Sequence, residues 1–204
     1  MAEMNTLPKT LEVCLAEKRE TLTIMSQKPT KQEFGTMYNK INMPLILLII
    51  TILTTGLLAG LFYGYSCSVI GGLGNLPDIQ YLEAFQSIDR AIQNPVFLFS
   101  FMGNVFLLPV VAIIMNKSGA VVSFQFLLIA TLVYVIGVLG ITIFCNIPLN
   151  EQLARFQIAN ADADEISAMR KAFEKPWNYF HSIRTIAAII SFSFSILAIT
   201  KFKI

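Results

Sequence analysis

Trp177, His181 and Arg184 stand at i, i+4 and i+7 in the stretch PWNYFHSIRTIAAII. On a helix these positions share one face, with Ala188 next in line and Asn178 and Thr185 flanking. The chain has one Trp and one His, and both fall here. An imidazole changes charge near neutral pH, and a guanidinium is a permanent cation with five donors. Together they suit proton transfer beside an anion. They suit structural work equally well. A Trp anchors a helix at a membrane interface, an Arg snorkels to that interface or pairs with Asp89 or Glu151, and a His bonds a neighbouring backbone. Other chemistries find less support. His181 with Cys67 and Cys145 falls short of a recognisable metal-ligand spacing. Ser182 beside His181 lacks the strained turn of a hydrolase nucleophile.

The elements that hold this face are apolar. The 204 residues are 55% hydrophobic and 14% charged, with a mean hydropathy of +0.64, whereas soluble domains carry about 25% charged residues. Four apolar runs, 44–66, 95–115, 120–144 and 182–200, each approach the ~20 residues that a helix needs to cross a bilayer. The expected fold is an all-α integral membrane four-helix bundle. Its leader, residues 1–43, is polar and expected to be weakly ordered, with a short amphipathic helix conceivable in TLEVCLAEKRETLTIM; the first run is a retained span rather than a cleaved signal. A net charge of +2 without a basic cluster argues against nucleic acid as a partner. Membrane lipid is the expected surrounding. Lys28, Lys31, Lys40, Lys117, Lys201 and Lys203 place both termini and the short second loop in the cytosol, of a plasma or inner membrane. Gly56, Gly60 and Gly64 form a small-residue face, for close packing within the bundle or for a homo-oligomer. Cys14 reads as a free thiol. Cys67 and Cys145, at the outer span ends, are more simply packed thiols than a disulfide.

Two short amphipathic helices are expected in the outer connections. One is PDIQYLEAFQSIDRAIQNP, stopped by Asn94-Pro95, and the other is 163–173, capped by Asp162 or Asp164. Pro148 is expected to break the helix after the third run, leaving Asn146 and Asn150 at the mouth. Pro109 is expected to kink the second run, and Asn104 to bond between helices. The outer mouth therefore gathers Asp89, Asn94, Asn146, Asn150, Trp177, Asn178, His181 and Arg184.

Four blocks in this order, AGLFYGYSCSVIGGLGNLPD, AFQSIDRAIQNPVF, GVLGITIFCNIPLNEQL and PWNYFHSIRT, resemble the anthrone oxygenase-like family of small four-helix membrane proteins. The resemblance spans about residues 44–200. Asp89 departs from it, since Asn is the expected residue there. What it implies is oxygenation of a hydrophobic aromatic substrate by dioxygen without an organic cofactor. An anthrone's central CH2 is acidic because its carbanion is an aromatic phenolate, and that anion reacts with dioxygen. Under this resemblance His181 is the expected base, and Arg184 with Asn146 or Asn150 holds the enolate oxygen. Trp177, Asn178, Asn94 and Asp89 contact substrate. The alternative is a non-catalytic membrane module that binds a lipid, a quinone or a partner protein through the same cluster.

Overall fold

The computed structural model describes Lys18 and residues 31–202, with only the backbone given for 31–42. The expected amphipathic helix in the leader and Cys14 lie outside the described residues. Residues from Met43 onward form one compact unit, to which the rest of this account applies. Among the described residues there is no strand. Among them, four helices are long and apolar enough to cross a membrane, over Met43–Gly74, Pro95–Lys117, Val121–Arg155 and Ala163–Lys201. Large apolar side chains such as Leu57, Phe106, Ile136 and Phe144 stay exposed on them. A water-soluble surface would not tolerate this belt; in lipid it is the solvent-facing side. The chain is a multi-pass membrane protein with the all-helical four-span fold that its hydropathy predicts.

The first span, from Met43, is α-helical as far as Gly64 and carries Pro44. It then passes through a π-helical turn, Tyr65–Val69, to end as Ile70–Gly74. The first amphipathic helix is Asp78–Ile92. It buries Tyr81, Leu82 and Phe85, while Glu83, Ser87 and Arg90 stay exposed. The second span, Pro95–Lys117, continues as helix past Pro109. It ends in a tight turn in which Ala120 N–H donates to the Met115 carbonyl and Gly119 N–H to that of Asn116. Gly119 has φ +80°, the left-handed conformation that this helix stop needs and that glycine adopts without strain.

The third span starts as Val121–Val133 and then opens into two π-helical stretches, Tyr134–Gly140 and Thr142–Asn146. Pro148 does not break it. Pro148 follows closely on the π-helical turn Thr142–Asn146, and the helix runs on through it to Arg155. The second amphipathic segment also forms, but as the first turns of one continuous helix, Ala163–Lys201. Asp162 and Glu165 cap it reciprocally, each side chain accepting from the other's backbone N–H at 2.9–3.0 Å. Its buried stripe Ile166, Phe173, Trp177, His181, Arg184 and Ala188 runs unbroken past Pro176 into the membrane. Trp177, His181 and Arg184 and the span they top thus belong to one continuous helix.

Hydroxyls and small residues hold the spans together, as expected where lipid removes the hydrophobic driving force. Ser123 Oγ donates to the Ala198 carbonyl and Ser191 Oγ to that of Ala130, both at 2.9 Å. These pin the third span to the fourth. Tyr134 donates to the Phe101 carbonyl at 2.7 Å, and Thr54 Oγ1 to Asn104 Oδ1 at 2.6 Å, so Asn104 does bond between helices. Of the glycine face, a Cβ on Gly56 would sit 2.8 Å from the Phe192 ring, whereas Gly60 and Gly64 have nothing within 4 Å. The first serves close packing within the chain, and the other two leave an open face.

At the mouth, Arg170 joins three segments. It donates to the carbonyls of Gly74 and Leu76, at 2.9 and 2.7 Å, to Asp78 at 2.9 Å and to Glu174 at 2.8 Å, and it lies over the Tyr81 ring at 4.5 Å. The guanidinium satisfies carbonyls left over where the first span ends. Arg170→Ala is therefore expected to cost about 1.5–3 kcal/mol, the range for a hydrogen bond to a charged group, as a lower melting temperature in detergent. An unchanged melting temperature would remove this clamp from the account.

Candidate functional site

Two buried clusters meet where the mouth joins the bundle. The membrane cluster ends at Phe62, and the mouth cluster ends at Trp177 with Phe85 and Phe173. Between them lies a cavity of about 770 Å³, walled by every span and by the helix Asp78–Ile92. Most of its wall is apolar. The polar exceptions include Asp89, Asn150, His181, Arg184 and Tyr65.

His181 is 1% exposed and stacks on Trp177, with ring centroids 5.0 Å apart and planes 8° from parallel. Its Nε2 lies 3.2 Å from the Phe62 carbonyl, 3.0 Å from Ser66 Oγ and 3.3 Å from Thr185 Oγ1. The carbonyl only accepts. Both hydroxyls already donate to backbone carbonyls, Ser66 to Phe62 and Thr185 to His181. Nε2 is therefore the protonated nitrogen. Nδ1 lies 2.9 Å from an Arg184 nitrogen, which only donates, so the Nδ1 lone pair is occupied. These partners select the neutral Nε2–H tautomer and leave neither nitrogen free. A base role for His181 requires Arg184 to leave Nδ1.

Arg184 is not a snorkelling residue. It is 8% exposed, lies over the Phe62 ring at 4.5 Å and faces the Trp177 ring at 5.7 Å. Among the described residues it forms no ion pair. Glu151 instead pairs with Arg155 at 2.9 Å, on the surface. A weak donation to Thr142 at 3.4 Å completes its bonds, and its Nε has no partner. Aromatic faces ease a buried cation but do not replace a counter-charge, and an uncompensated buried charge is costly. The Tyr65 hydroxyl is likewise buried without a partner. Two unsatisfied polar groups thus belong to one cavity wall.

Asp89 takes part in a relay. Trp177 Nε1 donates to Asn150 Oδ1 at 2.7 Å, and Asn150 Nδ2 donates to Asp89 Oδ1 at 2.6 Å. An indole N–H only donates, which fixes the orientation of the amide. Gln93 donates to Asp89 Oδ2 at 3.3 Å. Burial pushes the Asp89 carboxyl above its usual range, against the pull of Gln93, Asn150 and the charge of Arg90. No cation pairs with it among the described residues.

Five of the expected site residues, Asp89, Asn150, Trp177, His181 and Arg184, thus line one cavity. The others stand apart. Asn94 is the N-cap of the second span, accepting from Phe97 N–H at 3.0 Å and donating to the Ala91 carbonyl. Asn178 does not line the cavity; its carbonyl accepts from Ser182. Asn146 is buried behind the wall, donates to the Trp177 carbonyl at 3.5 Å, and leaves its Oδ1 unpartnered. Tyr65, Phe62 and Phe85 are wall residues that sequence reasoning passed over. Tyr65 had a signal available: its four-residue spacing from Leu61 and Val69, which also line the cavity. Cys67 and Cys145 are free thiols. No three His, Cys, Asp or Glu side chains gather closely among the described residues.

No curated protein and no solved structure matches the chain significantly. The model of the anthrone oxygenase family does match, over residues 85–194. That is just over half of the chain, running from the helix under Asp89 to the fourth span and including Asn150, Trp177, His181 and Arg184. With the second and third spans, most of the fourth and the polar cluster lying within that match, the chain belongs to the anthrone oxygenase family.

Proposed function

We propose that this protein is an oxygenase of anthrone-like hydrophobic aromatic compounds, acting with dioxygen and without an organic cofactor. The observation that carries the reading is Arg184, a buried cation on the wall of an apolar cavity that has no carboxylate partner among the described residues. Such a group suits an oxyanion that forms during reaction. The Tyr65 hydroxyl is a second donor for that oxygen. The Trp177 and Phe85 rings suit a flat aromatic substrate, and the membrane supplies one that dissolves poorly in water.

The chemistry balances. A base on the wall takes one methylene proton, and the electron pair passes into the ring system as an aryl oxyanion held by Arg184. Dioxygen forms a C–O bond at the carbanion, and the returned proton gives a hydroperoxide. Loss of the second methylene hydrogen as a proton, with cleavage of O–O, leaves a quinone carbonyl and water. In the preferred orientation both termini are cytosolic and the cavity mouth faces outward.

The test is aerobic conversion of a simple anthrone by detergent-purified protein, with the spontaneous rate subtracted. Acceleration is expected, with one dioxygen consumed per quinone formed. Tight binding of anthrone without conversion would instead favour a ligand-binding membrane module, and neither binding nor conversion would remove the reading. His181→Ala is expected to slow conversion by freeing Arg184 to move. His181→Gln should restore most of the rate, because a carboxamide can accept from Arg184 and donate to the Phe62 carbonyl. Equal loss in both would point to proton transfer by the imidazole itself.

A further inference from the structure

We propose that Asp89 is the base that takes the methylene proton, and that His181 is a positioning residue for Arg184. This rests on the oxygenase reading above and names the proton acceptor within it. Three observations carry it. His181 has no free nitrogen, since Nε2–H meets three acceptors and Nδ1 meets Arg184. Asp89 lines the same cavity and, among the described residues, has no cationic partner. Its Oδ1 is held at 2.6 Å by an amide whose orientation Trp177 fixes, while Oδ2 has only the long contact from Gln93. One oxygen is positioned and the other is available.

The charge pattern agrees. Asp89 and Arg184 both line the cavity, with Tyr65 within charge reach of each. A substrate between them would give its proton towards the carboxylate, and its electron pair would move towards the guanidinium. Negative charge then passes from Asp89 to the substrate oxygen, and the net charge of the site does not change. Were His181 the base, an imidazolium would form against Arg184, two cations 2.9 Å apart. Burial also raises the basicity of Asp89 towards that required of a general base. The groups facing Asp89 are Gln93 and Arg90 on its own helix, Asn150 from the third span and Tyr65 from the first. Glu151, also on the wall, is engaged by Arg155.

The deciding experiment separates proton abstraction from oxidation. Anthrone is incubated anaerobically in D2O with the purified protein, and deuterium entry at the methylene is followed by mass spectrometry. Wild type is expected to accelerate exchange over buffer. Asp89→Asn, which keeps the oxygen that accepts from Asn150, is expected to lose about 10²- to 10⁴-fold of that acceleration, the usual contribution of a general base. His181→Gln should exchange near the wild-type rate. The wild-type rate should also fall as pH drops through a single acid limb above the ordinary carboxylate range, a readout that needs no variant to fold. Exchange that survives Asp89→Asn, or that vanishes with His181→Gln in folded protein, overturns the assignment but leaves the oxygenase reading standing. If wild type fails to exchange and also fails to convert anthrone in air, the oxygenase reading itself falls.

Discussion

Arg184→Met is expected to lower anthrone conversion about 10²- to 10³-fold, the loss seen when one donor to a reacting oxyanion is removed, with no loss of melting temperature. The two halves of this result belong together. Arg184 is 8% exposed, has an unpartnered Nε and, among the described residues, pairs with no carboxylate. The folded protein therefore carries an uncompensated desolvation cost at this position. Methionine fills similar volume against Phe62 and Trp177 without that cost. A guanidinium kept only to pin the helix would behave in the opposite way: its loss would lower the melting temperature and spare the rate per folded molecule. Initial rates and thermal unfolding on the same detergent preparation decide between the two. Asp89→Asn should behave similarly on the stability side. The folded state holds the carboxyl above its unfolded value, so the ionised form is the penalised one. At neutral pH the amide should equal or exceed wild type in stability, and the difference should shrink as pH falls below both values.

Gly137→Leu is expected to have the largest effect on the fold. A Cβ at Gly137 would lie 2.6 Å from Ala187 Cβ, well inside contact distance, at the crossing of the third and fourth spans. Even Gly137→Ala forces the helices apart, at about 1–3 kcal/mol for an overpacked site. At this chain size each kcal/mol is about 2–4 °C of melting temperature. A leucine there should abolish recovery of a monodisperse protein. The pair Gly137→Ala with Ala187→Gly should recover much of the loss, because the methyl then has somewhere to go. Gly60→Ala is the control. Its Cβ would meet nothing within 4 Å, and because alanine is the better helix former by about 1 kcal/mol, a rise of about 2–4 °C is expected. If Gly137→Ala melts like Gly60→Ala, the close approach is not what holds this crossing.

Hydropathy alone located the four spans, because a bilayer imposes one length and one composition on whatever crosses it. Helix continuity was less legible. Pro148 reads as a stop and 163–173 as a separate short helix, yet the third span runs on through Pro148 to Arg155 and 163–173 opens a helix of 39 residues with Pro176 inside it. Local signals report what a residue disfavours, and packing of the stripe from Ile166 to Ala188 outweighs it. The π-helical turns left no mark in residue type, although two of them carry Tyr65 and Thr142 to the cavity wall. Arg184 at the edge of an apolar run reads as an interface residue; its seven-residue spacing from Trp177 puts it inside. Asn94 shows the reverse error. An Asn before Pro is a helix-start signal, and it serves as one here.

The relay from Trp177 through Asn150 to Asp89 has an evolutionary corollary. An aspartate and an asparagine differ in shape by almost nothing, and their codons differ by one nucleotide. Asn150 presents its N–H to position 89 because Trp177 holds its other end, and either residue offers an oxygen to receive it. The contact from Asn150 is thus indifferent to the exchange, and Gln93 need only turn its own amide over, whereas a base is gained or lost by it. A lineage with this scaffold can switch proton abstraction on or off in one step, without repacking a helix, and position 89 is where sequence variation among its members should be read first.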